Sequence, residues 1–209
     1  PLDLCPVAAH SRQCPERPAL AWSGRSIAWD ALNNYVHSTS RYLKEISVRA
    51  GDPVVLIKEN SPAYVIVLLA LWRIGAVPCP LDRATFVANT PAILTLLKPA
   101  LIIGPRGLRK TSGPKAGGAR TADIEQVVAY GYNDSFLGSE AALDPKIDDG
   151  HEALFRLRFA EGKAEAEALT HQALKNDPGE LGPLLDSLRT GQTFVILSPS
   201  GVKDRQSSS

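Results

Sequence analysis

The residues from Gly51 to Asp82, GDPVVLIKENSPAYVIVLLALWRIGAVPCPLD, constrain the fold more than any other stretch of this chain. Pro53–Ile57 is a short apolar run rich in β-branched residues, the pattern of a strand buried on both faces. Asn60 and Ser61 are helix-capping residue types. Pro62 suits the first helical position, where its missing N–H is not needed. From Ala63 to Ile74 nearly every residue is apolar, which predicts a helix inside the fold. Gly75 can take the left-handed conformation that ends a helix, and Ala76–Leu81 returns as an extended segment between prolines. Together these make a βαβ unit, whose ordinary outcome is a parallel strand pair with a right-handed crossover.

The flanking sequence extends the same alternation. Leu2–Pro18 reads as a helix ended by Pro15 and Pro18, followed by a hairpin of Ala19–Trp22 and Arg25–Ala28 around Ser23–Gly24. A helix is expected from Trp29 or Asp30 to about Ile46, because Leu32, Tyr35, Val36, Tyr42, Leu43 and Ile46 recur at helical spacing. A further helix is expected near Ala84–Leu97, then a strand at Ala100–Ile103. Arg106–Arg120 is basic, Gly-rich and loop-like, and Asn133–Gly150 is again loop-like. Ile124–Tyr130 is expected as a strand, Ala153–Phe159 as an edge strand, and Glu161–Lys175 as a helix because it is rich in Ala, Glu and Leu. A helix over Leu181–Leu188 and a strand at Thr193–Leu197 follow. The fold class is therefore α/β, layered, with a mainly parallel sheet flanked by helices.

Composition excludes several functions. The 209 residues carry a formal net charge of +1, so nothing favours nucleic acid or a membrane surface as partner. The apolar helix meets Arg73 after about eleven residues, too short to span a bilayer. Three scattered cysteines imply no disulfide framework and fit a reducing cytoplasm. Cys5, His10 and Cys14 are too few and too widely spaced for a structural zinc site, and no metal ligand is assigned. Trp22, Trp29 and Trp72 are expected in the core. The chain contains no methionine and begins at Pro1, which is the expectation for a partial chain.

Three runs carry a resemblance. RPALAWSGRSIAWDAL (17–32), VRAGDPVVLIKENSPAYVIVLLALWRIGAVPCPLD (48–82) and LLKPALIIG (96–104) together resemble, in order, the N-terminal part of the adenylate-forming acyl- and aryl-CoA synthetases. Within that superfamily LALWRIGAVPCPL is most similar to o-succinylbenzoate–CoA ligases of menaquinone synthesis. The resemblance implies the first subdomain of that fold. It also implies activation of a small carboxylic acid with Mg-ATP to an acyl-adenylate, followed by transfer to coenzyme A. Such chemistry is mostly positioning and charge neutralisation.

The resemblance extends to a phosphate loop, which the family writes T-S-G-T-T-G-K-P-K with an L-T-H segment shortly after. LRFAEGKAEAEALTHQAL (157–174) is the counterpart, with Gly162, Lys163 and Thr170 in register as nucleotide-binding candidates, alongside Leu169 and His171. Leu157, Arg158, Phe159, Ala160 and Glu161 supply neither hydroxyl nor glycine. Glu161 would set a negative charge beside a triphosphate, which costs about a kcal/mol or more at a partly exposed site. Both features argue against ATP binding by this loop. Thr111–Ser112–Gly113–Pro114–Lys115 recreates part of the motif but lacks a strand before it and an L-T-H after it, so it reads as a plain loop. His171 is expected to pack or cap at a helix start. No Ser–His–Asp or Cys–His arrangement can be assigned from spacing, so the catalytic residues stay unknown.

The domain division expected is an N-terminal subdomain over 1–104, a connecting region over 105–150, a degenerate phosphate-loop region with its helix and strand over 151–200, and a disordered tail over 201–209. The parent activity implied is ATP-dependent acid–thiol ligation, of which this chain alone is expected to be incompetent. A non-enzymatic remnant or interaction module is the alternative, and an independent nucleotide-binding domain the third.

Overall fold

The computed structural model describes residues 5–108, 120–133, 147–160 and 163–197. Gly162, Thr111–Lys115, most of the two loop-like stretches and the 201–209 tail lie outside the described residues.

The βαβ unit forms as its punctuation dictates. Strand β3 (Pro53–Ile57) leads to helix α3 (Pro62–Arg73), capped by Ser61, whose side chain accepts from the Tyr64 backbone N–H at 3.3 Å. Gly75 adopts φ +74, and β4 (Val77–Leu81) pairs in parallel with β3 along five residues. Helix α4 (Arg83–Leu97), capped by Asp82, returns the chain to β5 (Leu101–Gly104) on the other side of β3. Beyond it β6 (Thr121–Asp123) pairs in parallel with β5, giving the sheet order β4-β3-β5-β6. Val54–Ile57, Val77–Leu81 and Leu101–Ile103 therefore share one sheet.

Alternation along the strands splits the core in two. Val54, Leu56, Leu101 and Ile103 face a cluster built from α3 and from α2 (Trp29–Glu45). Val55, Ile57, Cys79, Leu81 and Ile102 face the opposite cluster with Phe86, Ile93 and Leu97 of α4. Helix α3 is buried along nearly its whole length, as an apolar helix must be. Each of its fully buried leucines contributes about 1.5–3 kcal/mol. Ser40 of α2 donates to the Ala70 carbonyl oxygen at 3.4 Å, tying α2 to α3.

Before this layer come α1 (Cys5–Gln13) and the expected hairpin of β1 (Pro18–Trp22) and β2 (Arg25–Ala28). Trp29 and Trp72 are buried as expected, and Trp22 is half-buried against the same core.

Two expectations fail. Ile124–Tyr130 is not a strand: residues Ile124–Asn133 form helix α5, started by Asp123, whose Oδ1 accepts from the Glu125 and Gln126 backbone N–H groups. Ile124, Val127 and Val128 then fall on one buried helical face. The second failure is Glu161–Lys175. Strand β7 (Glu152–Ala160) forms as expected, but Lys163–Thr170 is strand β8, paired antiparallel with it, and only His171–Asn176 is helical, as α6. Ala-Glu composition favours helix, but the side chains of KAEAEA alternate with period two. Pairing with β7 also sets Glu167 against Arg158 at 3.0 Å, so tertiary pairing overrides propensity.

The chain continues through a 3₁₀ turn (Gly179–Leu181) into α7 (Gly182–Thr190) and β9 (Phe194–Val195). Strand β9 pairs in parallel with β1, at Leu20 with Phe194 and Ala21 with Val195.

Candidate functional site

A cleft of about 910 Å³ opens at the carboxyl ends of β3 and β4, where parallel α/β sheets place their ligands. Each strand ends in a polar run that turns outward: Lys58–Ser61 after β3, and Asp82 with Thr85 after β4. The opposite wall comes from β7 and from residues 178–184, and β9 with its next two residues closes one end. The interior is mainly apolar, with Tyr64, Phe155, Phe159 and Phe194 supplying aromatic surface. Such a lining suits the body of a small organic acid, with polar groups at the rim to fix its orientation.

The rim groups are themselves positioned. Asp82 Oδ1 accepts from the Thr85 backbone N–H at 2.8 Å, and its Oδ2 accepts from the Thr85 hydroxyl at 2.6 Å. These bonds hold its carboxyl below the usual carboxylate range. Burial, reinforced by Glu125 and Asp123, pushes the half-buried Glu59 carboxyl upward. Tyr64 is raised as well, by burial first and then by the charge of Glu180. Lys58 Nζ donates to Glu180 Oε2 across the mouth at 2.5 Å.

The candidates read from the sequence do not converge. Lys163 is exposed at the first residue of β8, opposite Ala160, while Thr170 ends the same strand. They stand seven positions apart along the strand, roughly 23 Å. Thr170 is occupied as a cap, its Oγ1 accepting from the Ala173 backbone N–H at 3.1 Å. Gly162 lies outside the described residues. His171 is buried at the first residue of α6, and burial lowers its pKa to about 4, which keeps the imidazole neutral near pH 7. Cys79 is enclosed in the sheet with its thiol pushed up to about 12 by burial, which removes it as a nucleophile. Among the described residues no group of three His, Cys, Asp or Glu could hold a metal ion.

The family model described as "AMP-binding enzyme" matches residues 7–176, most of the chain. The chain belongs to the AMP-binding enzyme family. It is similar to nonribosomal peptide synthetase 9 of Gibberella zeae, 27% identical over 200 residues, which cover 93% of this chain and 23% of that protein. The chain spans between 1% and 31% of the lengths of the curated relatives it matches. Among solved structures, the N-terminal subdomain of Klebsiella oxytoca NpsA in complex with 3-hydroxybenzoyl-AMSN superposes with a TM-score of 0.75 at 19% identity, covering 96% of this chain and 54% of that one. The fatty acyl-adenylate ligase from L. pneumophila, in complex with acyl adenylate and pyrophosphate, also gives 0.75, at 13% identity over 93% of this chain and 39% of that one. The fold of this AMP-binding family member is thus that of the N-terminal subdomain of adenylate-forming enzymes. Adenylate-forming enzymes use ATP, as ATP-bound MatB from Rhodopseudomonas palustris illustrates, and the L. pneumophila ligase holds an acyl adenylate. Among the described residues no helix is long and apolar enough to cross a membrane.

The cleft itself was missed by sequence reasoning. Its walls come from residues near 60, 80, 155, 180 and 195, and only the outward polar turns after β3 and β4 signalled it.

Proposed function

We propose that this chain is part of a ligase that joins a small carboxylic acid to AMP, with the acid seated in the cleft beyond β3 and β4. The observation that carries this reading is a mostly apolar, aromatic-lined cleft at the carboxyl edge of a sheet belonging to the AMP-binding family. In the parent reaction a carboxylate oxygen attacks the α-phosphorus of ATP and pyrophosphate leaves. A thiol, coenzyme A in this reading, then takes the acyl group and AMP departs. Magnesium would neutralise the phosphates. The described part of the β7–β8 hairpin does not fit a phosphate loop: Leu157–Ala160 carry no hydroxyl, and Phe159 packs toward the apolar cluster. Gly162, Lys163 and Thr170 are therefore proposed as nucleotide contacts by resemblance alone.

The chain alone is proposed to be incompetent for adenylation, acting within a larger machine in the cytoplasm. The division into 1–104, 105–150, 151–200 and 201–209 belongs to the same proposal. An aromatic or dicarboxylic acid is the substrate class. o-Succinylbenzoate, of menaquinone synthesis, is one such acid, and its support is confined to the LALWRIGAVPCPL run. The second reading, a scaffold remnant or interaction module, is favoured by the unsuited hairpin. Pyrophosphate release by the purified chain, with ATP and a panel of aromatic and dicarboxylic acids, tests the proposal. No release above background is expected, and turnover lost in Lys163→Ala would overturn the claim of incompetence.

A further inference from the structure

Three elements bring Lys58, Tyr64 and Glu180 to one point at the mouth of the cleft. Lys58 follows β3, Tyr64 lies in the first turn of α3, and Glu180 sits in the 3₁₀ turn. All three line the cleft, and the Glu180 charge acts on the Tyr64 hydroxyl as well as on Lys58. Gly179 precedes Glu180 at φ +52, a conformation that favours glycine. The neighbouring charges have partners of their own, Glu59 with the Ser61 side chain on the same turn. Arg156 lies 3.9 Å from Glu167 on the paired strand, and Asp82 is committed to Thr85. The Lys58 ammonium is instead satisfied by a carboxylate reaching over from the far wall.

We propose that Lys58 is the recognition point in this cleft for the head of an amphipathic carboxylate, and that Glu180 is a built-in competitor holding that place until the ligand arrives. The proposal deepens the reading of the cleft as an acid-binding site and rests on it. The exchange is chemically conservative, one N⁺–H···O⁻ bond replacing another. The Glu180 side chain is 82% exposed, so it swings into water without losing hydration. Exposed ion pairs are weak, so the competitor is displaced easily. The ligand's apolar body adds what Glu180 lacks, burial against Tyr64, Phe155 and Leu157. A neutral head group cannot make the exchange, so the pair discriminates acids from amides and esters of the same shape.

The test titrates the full chain, at pH 7 and low salt, with 4-phenylbutyrate and separately with 4-phenylbutyramide, following binding by calorimetry. Wild type is expected to prefer the acid. Glu180→Gln is expected to tighten acid binding by roughly two- to fivefold and leave the amide unchanged. Lys58→Gln is expected to remove the preference for acid over amide. Unfolding midpoints of both variants are expected to match wild type, since both side chains stand at the rim. If acid and amide bind alike in all three proteins, the Lys58–Glu180 exchange is overturned while the cleft remains a binding site. If neither compound binds any of them, the acid-binding reading of the cleft is overturned together with it.

Discussion

The indole Nε1 of Trp72 donates to the carbonyl oxygen of Ala153 at 2.7 Å, inside the protein. This bond links the end of the buried helix α3 to the first residues of the β7–β8 hairpin, so one wall of the cleft is anchored to the helix. Trp72→Phe keeps an aromatic ring but leaves a buried carbonyl without its donor. A loss of about 1–3 kcal/mol is expected in urea unfolding. Hydrogen exchange should accelerate in β7 more than in β3.

Gly191 ends α7 at φ +70, and a Cβ placed there would lie 2.8 Å from His10 Cε1. His10 is held in place by Trp29, with ring centroids 4.7 Å apart, and its Nε2 is 3.0 Å from the Leu188 carbonyl oxygen. Gly191→Ala therefore meets both backbone strain and a collision, and a loss of about 1–3 kcal/mol is expected. In a double-mutant cycle, His10→Ala should recover the part due to the collision and leave the backbone part.

Asp82 caps α4, and Asp82→Ala is expected to cost about 1 kcal/mol at neutral pH. The sign of its pH dependence follows from its lowered pKa. The carboxylate's contribution is complete above the unfolded value near 3.8 and is lost as pH falls through the lower folded value. Thermal unfolding of wild type and variant should therefore converge in acid and separate at pH 5 and above.

His171 gives a second acid-sensitive element with a different window. Burial lowers its pKa from 6.5 to about 4, so protonation is easier in the unfolded chain. Its stabilising neutrality is complete above pH 6.5 and declines down to about pH 4. His171→Leu should flatten the stability curve in that interval. An unchanged slope in chemical denaturation series would contradict this assignment.

The central layer was legible because its signals are local and mutually consistent. Ser61, Pro62 and Gly75 mark the ends of α3 with chemistry that depends only on near neighbours, and the structure uses Ser61 and Gly75 as the sequence implies. The errors arose where a local preference competed with a distant partner. Lys163–Thr170 has helix-forming composition, yet β7 supplies a strand to pair with it. At Ile124 the helix rests on the spacing of Ile124, Val127 and Val128 and on the Asp123 side chain that starts it. The cleft was least legible. Lys58 and Glu180 stand 122 positions apart, and neither belongs to a motif that would announce the other.

The parallel pairing of β1 with β9 sets a timetable for synthesis. Phe194 and Val195 leave the ribosome some 174 positions after Leu20 and Ala21. At 5–20 residues per second the N-terminal hairpin waits roughly ten to thirty-five seconds with an open hydrogen-bonding edge. Unpaired edges recruit other strands. The hairpin is therefore the segment that a holding chaperone would need to shield in the nascent chain.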